Sequence, residues 1–536
     1  MLGFPLLTVI VFVPAGGALL VGLTPSGRVG VARALAALTA LVEIALVVAC
    51  IVEFKVEAGF QFMSAHSWIS ALGIQWKVGV DGISVFLLAM TSLLCPVARC
   101  GPKVASQARS FLAWMLLLEA ACVTAFLALD LFLFFVAFEL TLVPAYFLIS
   151  GWGGARRSFA AMKFFIYTFA GSAFLLVGIL AVALLVSAHT GHPVTFDLIS
   201  LTRAASSLPV NDQYLIFAAF AVAFAVKVPL IPFHSWLPDA YTEAPTGGSM
   251  ILAGILFKLG AYGLLRFGVF LLPRAANGMA PVLLTLAVVG ITYGGVITIM
   301  QRDLKRLIAY ASIADVGFVV LGVFAFSPQG ITGGVLEMVN HGLTTGALFF
   351  LVGMVWERRQ SFRFSDLGGI QKSSPVLAGV FLVVVLAAVG LPGLNGFVGE
   401  VLVLVGPFIT HRWWAVVATS GIVLGAIYML WAYQRVFHGQ LVQAPATDAK
   451  ADISWRELAA ITPLLAGIVF LGIYPKPLLD RVEPSVSHLL AHVEHVDRGL
   501  QMPAEAGVAG NPSVPVSQNV DSSTVFGFQT AASVQP

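Results

Sequence analysis

Fourteen apolar runs of about 20 residues each follow one another between residues 5 and 475, and that length is what an α-helix needs to cross the hydrocarbon of a bilayer. Lipid offers no partner to a bare N–H or C=O, so a chain written this way closes its backbone hydrogen bonds within helices. Composition agrees: of 536 residues, 59% are hydrophobic and 10% charged, and the mean hydropathy is +0.95, outside the range of soluble globular domains. The expected fold is all-α, a polytopic membrane protein with about 14 transmembrane helices. Residues 1–23 carry neither a basic leading segment nor a small-residue cleavage pattern, so they read as the first span and not as a removed signal.

The basic residues give orientation. Of the 29 Lys and Arg residues, eighteen fall in the odd-numbered loops, eight in the even-numbered loops and the tail, and three (Lys227, Lys258 and Arg266) inside spans. Cytoplasmic loops carry the excess of Lys and Arg, so the odd loops are expected in the cytoplasm and both termini outside it. The external loop 53–81 holds Trp68 and Trp76, as an interfacial segment lying along the headgroups would.

An ammonium at the bilayer centre costs about 2.5–3.5 kcal/mol on insertion scales, and such a residue marks a functional site by default. Lys227 lies in span seven (214–234) and Lys258 in span eight (249–272). Glu119 (span four, 111–129) and Glu139 (span five, 131–150) are surrounded by Leu, Phe and Ala, and a carboxylate so placed pairs with a cation or takes up a proton. Glu139 with Lys227 is the expected ion pair. At about 4 Å and an effective dielectric of about 20 the pair gains about 4 kcal/mol, so making or breaking it decides whether Lys227 keeps its proton. Arg266, two turns beyond Lys258, is expected to snorkel to the outer surface, and Glu43 in span two to sit near the interface or face a partner helix. Asp315 falls about three turns inside span ten (304–326), and Glu337 and His341 stand four apart in span eleven (331–355), on one helix face. An imidazole titrates near neutrality and passes protons either way.

Two spans are broken. Pro229 and Pro232 interrupt span seven, and Pro392 with Gly393 interrupts span twelve (376–409), with Glu400 just beyond. Proline removes a backbone donor, and membranes tolerate the freed groups only where protein or a water-filled cavity satisfies them. His234 follows the first break, where a structural and a functional role are equally open. The breaks occupy matching places in helices 4–8 and 9–13, the pattern of two inverted five-helix repeats with discontinuous helices 7 and 12. The expected division is 1–110 (helices 1–3), 111–272 (first repeat), 280–437 (second repeat), 438–475 (a loop and helix 14) and an external tail 476–536, disordered from about 501. Cys50, Cys95, Cys100 and Cys122 lack metal-ligand spacing and read as small packing residues, so no metal site is expected.

The segments VKVPLIPFHSWLPDAYTEAPTGGSMILAGILFKLGAYGLLR, QRDLKRLIAYAS, VNHGLTTGALFFLVG and GLPGLNGFVGE resemble the M-chain family of antiporter-like membrane subunits of bacterial respiratory complex I, the proton-pumping NADH:quinone oxidoreductase. The likeness runs from about residue 78 to 475 and implies fourteen helices with two inverted repeats. It also implies Glu139 and Lys227 as the uptake-side pair, Lys258 as the central relay, His341 as its continuation and Glu400 as the terminal acceptor. Relatives commonly carry a histidine where this chain has Asp315, so the link from Lys258 to His341 is expected to be made differently, with help from Glu337. The implied partners are the other complex I membrane subunits, notably the L and N chains, in the bacterial plasma (inner) membrane, with no nucleic acid.

The chain shows no GxGxxG after a strand and no cysteine cluster for iron and sulfur. NADH, FMN, iron–sulfur clusters and quinone are therefore expected in partner subunits, whose redox chemistry would drive this one. The alternatives are an Mrp-type cation/proton antiporter subunit and the membrane subunit of a hydrogenase-linked relative.

Overall fold

The computed structural model describes residues 5–101, 107–440, 442 and 452–497; the tail expected to be disordered from about 501 lies outside them. Helices α1 (Leu6–Leu23) and α2 (Val29–Glu53) precede a β-hairpin of β1 (Gln61–Ile69) and β2 (Ile74–Val80). Then come α3 (Ser84–Arg99), α4 (Ala108–Leu127), α5 (Leu131–Trp152), α6 (Arg157–Thr190), α7 (Leu198–Ala205), α8 (Val210–Lys227), α9 (Trp236–Glu243) and α10 (Thr246–Val269). The second half holds α11 (Pro273–Ile299), α12 (Leu304–Val323), α13 (Pro328–Arg359), α14 (Pro375–Ala388), α15 (Asn395–Thr410), α16 (Arg412–Phe437), α17 (Trp455–Ile473) and α18 (Lys476–Asp497).

Among the described residues twelve helices are long and apolar enough to cross a membrane, or thirteen if α14 is joined to the short helical turns Phe364–Lys372, which meet it at 112°. Helices α3 and α15 are shorter apolar helices. The run 376–409, read from sequence as one broken span, is two helices, α14 and α15.

The hairpin corrects the all-α expectation for residues 53–81. Its strands pair antiparallel, Gln61 opposite Val80 and Ile69 opposite Ile74, and Gly73 turns the chain with φ 71°, a left-handed conformation that glycine adopts without steric cost. Trp76 packs on α1. Its Nε1 donates to Thr8 Oγ1 at 3.2 Å and its ring stacks on Phe12 at 5.3 Å. Asp130 fixes the hairpin to the bundle: it accepts from the N–H groups of Phe132 and Leu133 at the start of α5 and, through its other oxygen, from Gln75 at 3.1 Å.

The part of the tail before the segment expected to be disordered is helical. Residues 476–497 form α18, which packs on α11 and α13 and accepts Gly82 N–H on Ser485 Oγ at 3.0 Å.

Two spans lie deeper in the bundle than the rest. The membrane-length windows of α10 and α13, which carry Lys258 and His341, are entirely buried, whereas the other spans keep a face toward the surroundings. Helix α10 is irregular, with π-helical stretches Leu252–Leu256 and Leu264–Val269 on either side of Phe257–Gly263. Gly260 lets α10 close on α8, because a Cβ there would lie 2.6 Å from Val228 Cγ2 and 3.1 Å from Lys227 Cβ.

Candidate functional site

The first break begins at the residue that matters most there. Helix α8 ends at Lys227, and the chain resumes helical form at Trp236. The carbonyl that Pro229 leaves free, Ala225 O, accepts from Leu230 N–H at 2.9 Å, and side chains hold the rest of the break: Trp236 Nε1 donates to Val226 O at 2.9 Å, and Lys163 Nζ donates to Ser235 O at 2.7 Å and to Asp239 Oδ2 at 2.8 Å. His234 sets its ring edge-to-face on Tyr293 at 5.6 Å and leaves Nδ1 without a partner.

The expected Glu139–Lys227 ion pair is not made. Lys227 is buried, and its Nζ donates to Thr141 Oγ1 at 3.1 Å while lying 4.5 Å from the centre of the Phe138 ring. Among the described residues no carboxylate stands within 4.0 Å of it, and Oε1 of Glu139 has no hydrogen-bond partner. The cause is local: α5 steps at Thr141, between Leu140 and Leu142, and residues two apart on a helix do not face the same way. Presenting the Thr141 hydroxyl to Lys227 turns the Glu139 carboxyl aside.

Deeper in the bundle the contacts become continuous. Lys258 Nζ donates to Ala253 O at 2.7 Å, a carbonyl in the π-helical turn where the i to i+4 ladder is interrupted, and lies 3.8 Å from the Phe257 ring centre. It also contacts His341 Nδ1 at 2.9 Å. The other imidazole nitrogen, Nε2, is 3.3 Å from Asp315 Oδ2 and 3.2 Å from Thr345 Oγ1. Asp315 therefore lies beyond His341 and not between it and Lys258, and Glu337 is not needed as a bridge. This corrects the sequence reading of that link. With Lys258 as an ammonium, Nδ1 is the acceptor and Nε2 carries the hydrogen toward Asp315.

Past Asp315 the relay meets a cavity lined by Asp315, Glu337, Asn340, His341, Thr344 and Glu400. Its volume, counted where the centre of a water can sit, is about 20 Å³, above the roughly 10–15 Å³ that one water requires, and the polar lining offers the partners a water needs. The second break frames this space. Helix α14 stops at Ala388 and α15 starts at Asn395, with Pro392 and Gly393 (φ 94°) between. Gly390 (φ 69°) packs against the Glu400 carboxylate and Gly399 against that of Glu337. Asn340 and Asn395 tie α13 to α15 through Asn340 Nδ2 donating to Asn395 O at 2.7 Å and Asn395 Nδ2 to Asn340 O at 3.2 Å.

Three further ionisable residues are buried in the bundle. Glu119 pairs with Arg99 at 2.6 Å, a cation counted from sequence as belonging to a loop although α3 carries it into the bundle. Glu43 is buried and faces Glu119 of α4, the partner-helix placement of the two expected for it. Arg266 does not snorkel outward: it is 3% exposed and holds Asp81 Oδ2 through Nη2 at 2.5 Å, with Phe60, Tyr262 and Phe270 around the guanidinium. Among the described residues no three His, Cys, Asp or Glu side chains are placed to hold a metal ion.

Residues 128–425 match the family described as NADH:quinone oxidoreductase/Mrp antiporter, TM. The chain is similar to NADH-quinone oxidoreductase subunit M of Rhodobacter capsulatus, 39% identical over 518 residues covering 94% of this chain and 99% of the relative. The Mycobacterium tuberculosis subunit M is 35% identical, covering 96% and 99%. Among solved structures, a chain of respiratory complex I from Thermus thermophilus with bound NADH superposes with a TM-score of 0.82 at 30% identity, covering 91% of this chain and 99% of that one. A chain of the Mrp complex from Dietzia shares the fold alone, with a TM-score of 0.80 at 21% identity over 92% and 100% of the two chains.

Proposed function

Because this chain belongs to the NADH:quinone oxidoreductase/Mrp antiporter family of membrane subunits and is a proton-translocating subunit of an NADH-quinone oxidoreductase, we propose that it moves H⁺ along Lys227, Lys258, His341, Asp315 and Glu400. The observation that carries this reading is the contact chain from Lys258 Nζ through both nitrogens of His341 to Asp315. A buried ammonium facing the lone pair of an imidazole whose other nitrogen faces a carboxylate can hand a proton on by one tautomer exchange.

In this reading Lys227 is the uptake residue and Glu139 its switch. The arrangement with Lys227 on the Thr141 hydroxyl is the open state, in which the ammonium is out of contact with its counter-charge and is ready to release its proton toward Lys258. Closing Glu139 onto Lys227 would restore about 4 kcal/mol of attraction at an effective dielectric of about 20 and hold the proton. From Lys258 the proton enters His341 at Nδ1, the Nε2 proton passes to Asp315, and water in the cavity carries it to Glu400, with Glu337 beside the route. The drive comes from redox chemistry in other subunits of the complex. NADH, FMN, iron–sulfur clusters and quinone belong to those partners, the L and N chains are the neighbours in the membrane, and both termini face away from the cytoplasm of the inner membrane.

The antiporter reading is less well supported by the site. A hard cation requires a cage of oxygen ligands, and two lysines and a histidine hold the centre of this one. The complex reconstituted in vesicles is expected to pump protons on NADH at the same initial rate with and without sodium. Transport that needs sodium and ignores the NADH supply would overturn the assignment.

Asp315 has its own expected signature. Asp315→Ala removes the acceptor behind His341 and lowers the pumping rate by about tenfold, less than the roughly 10²–10⁴ of a positioned proton donor lost outright, since cavity water partly replaces it. Asp315→His, which restores a titratable acceptor, recovers most of the rate. Equal pumping in all three would place Asp315 off the path.

A further inference from the structure

Outside this path two carboxyls and a guanidinium are packed together between α2, α3 and α4. Glu43 is 1% exposed and faces Glu119, itself without exposure, and Arg99, 6% exposed, bonds Glu119 Oε2 through Nη1 at 2.6 Å. The bonding is incomplete. Among the described residues both oxygens of Glu43, Oε1 of Glu119 and Nη2 of Arg99 have no hydrogen-bond partner. Ionised carboxylates only accept, so two of them facing each other cannot satisfy one another, and a single guanidinium leaves the group with one negative charge too many. One proton corrects both faults: it supplies the missing donor between the two acceptors and brings the buried charge to zero, which the cost of desolvating an unpaired charge demands.

We propose that Arg99, Glu119 and Glu43 form a second proton-holding site that feeds Lys227, an inference that rests on the reading of Lys227 as the uptake residue. Cys122 relates the site to that residue. Cys122, one turn along α4 from Glu119, is buried and lies within electrostatic reach of both Glu119 and Lys227, and a thiol both donates and accepts. On the other side, Cys100, next to Arg99, is exposed, so the end of α3 opens at the surface of the chain. The resting site holds Glu43 as the acid and Glu119 as the carboxylate. The Glu43 proton moves to Glu119, and the Glu119 acid delivers it through the Cys122 thiol to the free amine of Lys227, which becomes an ammonium. Glu43, now a carboxylate, takes a proton from solvent. No electron moves and no covalent bond other than those to the proton changes.

A structural ion pair offers a plainer account of Arg99 and Glu119, but it gives no place to Glu43, whose two oxygens would stay buried without a donor. The two accounts separate in the infrared. In redox-induced difference spectra of the purified complex, Glu43→Gln is expected to delete one component of the protonated-carboxyl C=O band, Glu43→Asp to keep that component at a shifted frequency, and Glu119→Gln to displace it while slowing pumping several-fold. Spectra unchanged in all three variants would overturn the proposal. Co-purification of the other subunits reports assembly, and if Glu43→Gln does not assemble, the Glu43→Asp shift decides alone. The relay reading fails separately, through unchanged pumping in Lys227→Ala, and that result leaves the carboxyl band as it was.

Discussion

A complex carrying Lys258→Met is expected to assemble fully and to pump protons about a hundredfold more slowly, the lower end of what a positioned proton donor contributes. Lys258 is completely buried, and methionine has nearly its length, three rotatable bonds and no charge, so it fills the same space on α10 without strain. Removing an ammonium from the bilayer centre also recovers part of the roughly 2.5–3.5 kcal/mol that its insertion costs. Function and stability therefore move in opposite directions: the thermal midpoint of the complex stays level or rises while pumping falls. The donor is what is lost. Without Nζ, His341 Nδ1 faces a thioether, and the exchange that ends at Asp315 3.3 Å from Nε2 has no proton to start from. A variant that lost pumping together with stability would instead point to a packing role for Lys258.

Asp81→Ala is expected to act the other way, on stability and assembly. Asp81 takes Ser84 N–H and Oγ on Oδ1, at 3.0 and 3.1 Å, and Arg266 on Oδ2 at 2.5 Å. Arg266 Nε donates to the hydroxyl of Tyr262, which in turn donates to Phe126 O at 3.0 Å. The pair joins the end of the hairpin to α10. Deleting one partner strands a guanidinium among Phe60, Tyr262 and Phe270, and breaking a buried pair in this way costs about 3–5 kcal/mol. The yield of assembled complex and its thermal midpoint should both fall. Asp81→Leu combined with Arg266→Met should recover most of the loss, because removing both charges leaves no orphan. A neutral Asp81→Ala would mean that water reaches the pair.

Much of the site could be read from the chain because membranes penalise what function requires. Lysine inside an apolar run and proline in mid-span are costly wherever they stand, so Lys227, Lys258, Pro229, Pro232, Pro392 and Gly393 announce themselves without any knowledge of their neighbours. Contacts are another matter. Lys258 and His341 touch across 83 residues of sequence, and nothing local indicates that Asp315 takes the far nitrogen. Charge and the family resemblance both direct Glu139 to Lys227, whereas the step in α5 at Thr141 gives the hydroxyl that place. Arg99 was counted among loop cations because it closes a helix, yet its side chain reaches back to Glu119. The hairpin was hidden by its length: two strands of seven to nine residues between apolar helices resemble any amphipathic loop, and Trp68 and Trp76 fit a headgroup segment equally well. The π-helical stretches around Lys258 leave no mark in a run where every residue is buried, since no polar face exists to reveal the period.

The central claim is that buried ionisable side chains between two broken helices carry the protons. The most direct measurement is the initial rate of NADH-driven proton pumping by the Lys258→Met complex in sealed vesicles, with electron transfer followed in the same sample. The account predicts pumping about a hundredfold below the unmodified complex with all subunits present. Pumping at the unmodified rate, with the same number of protons moved per electron, would contradict it.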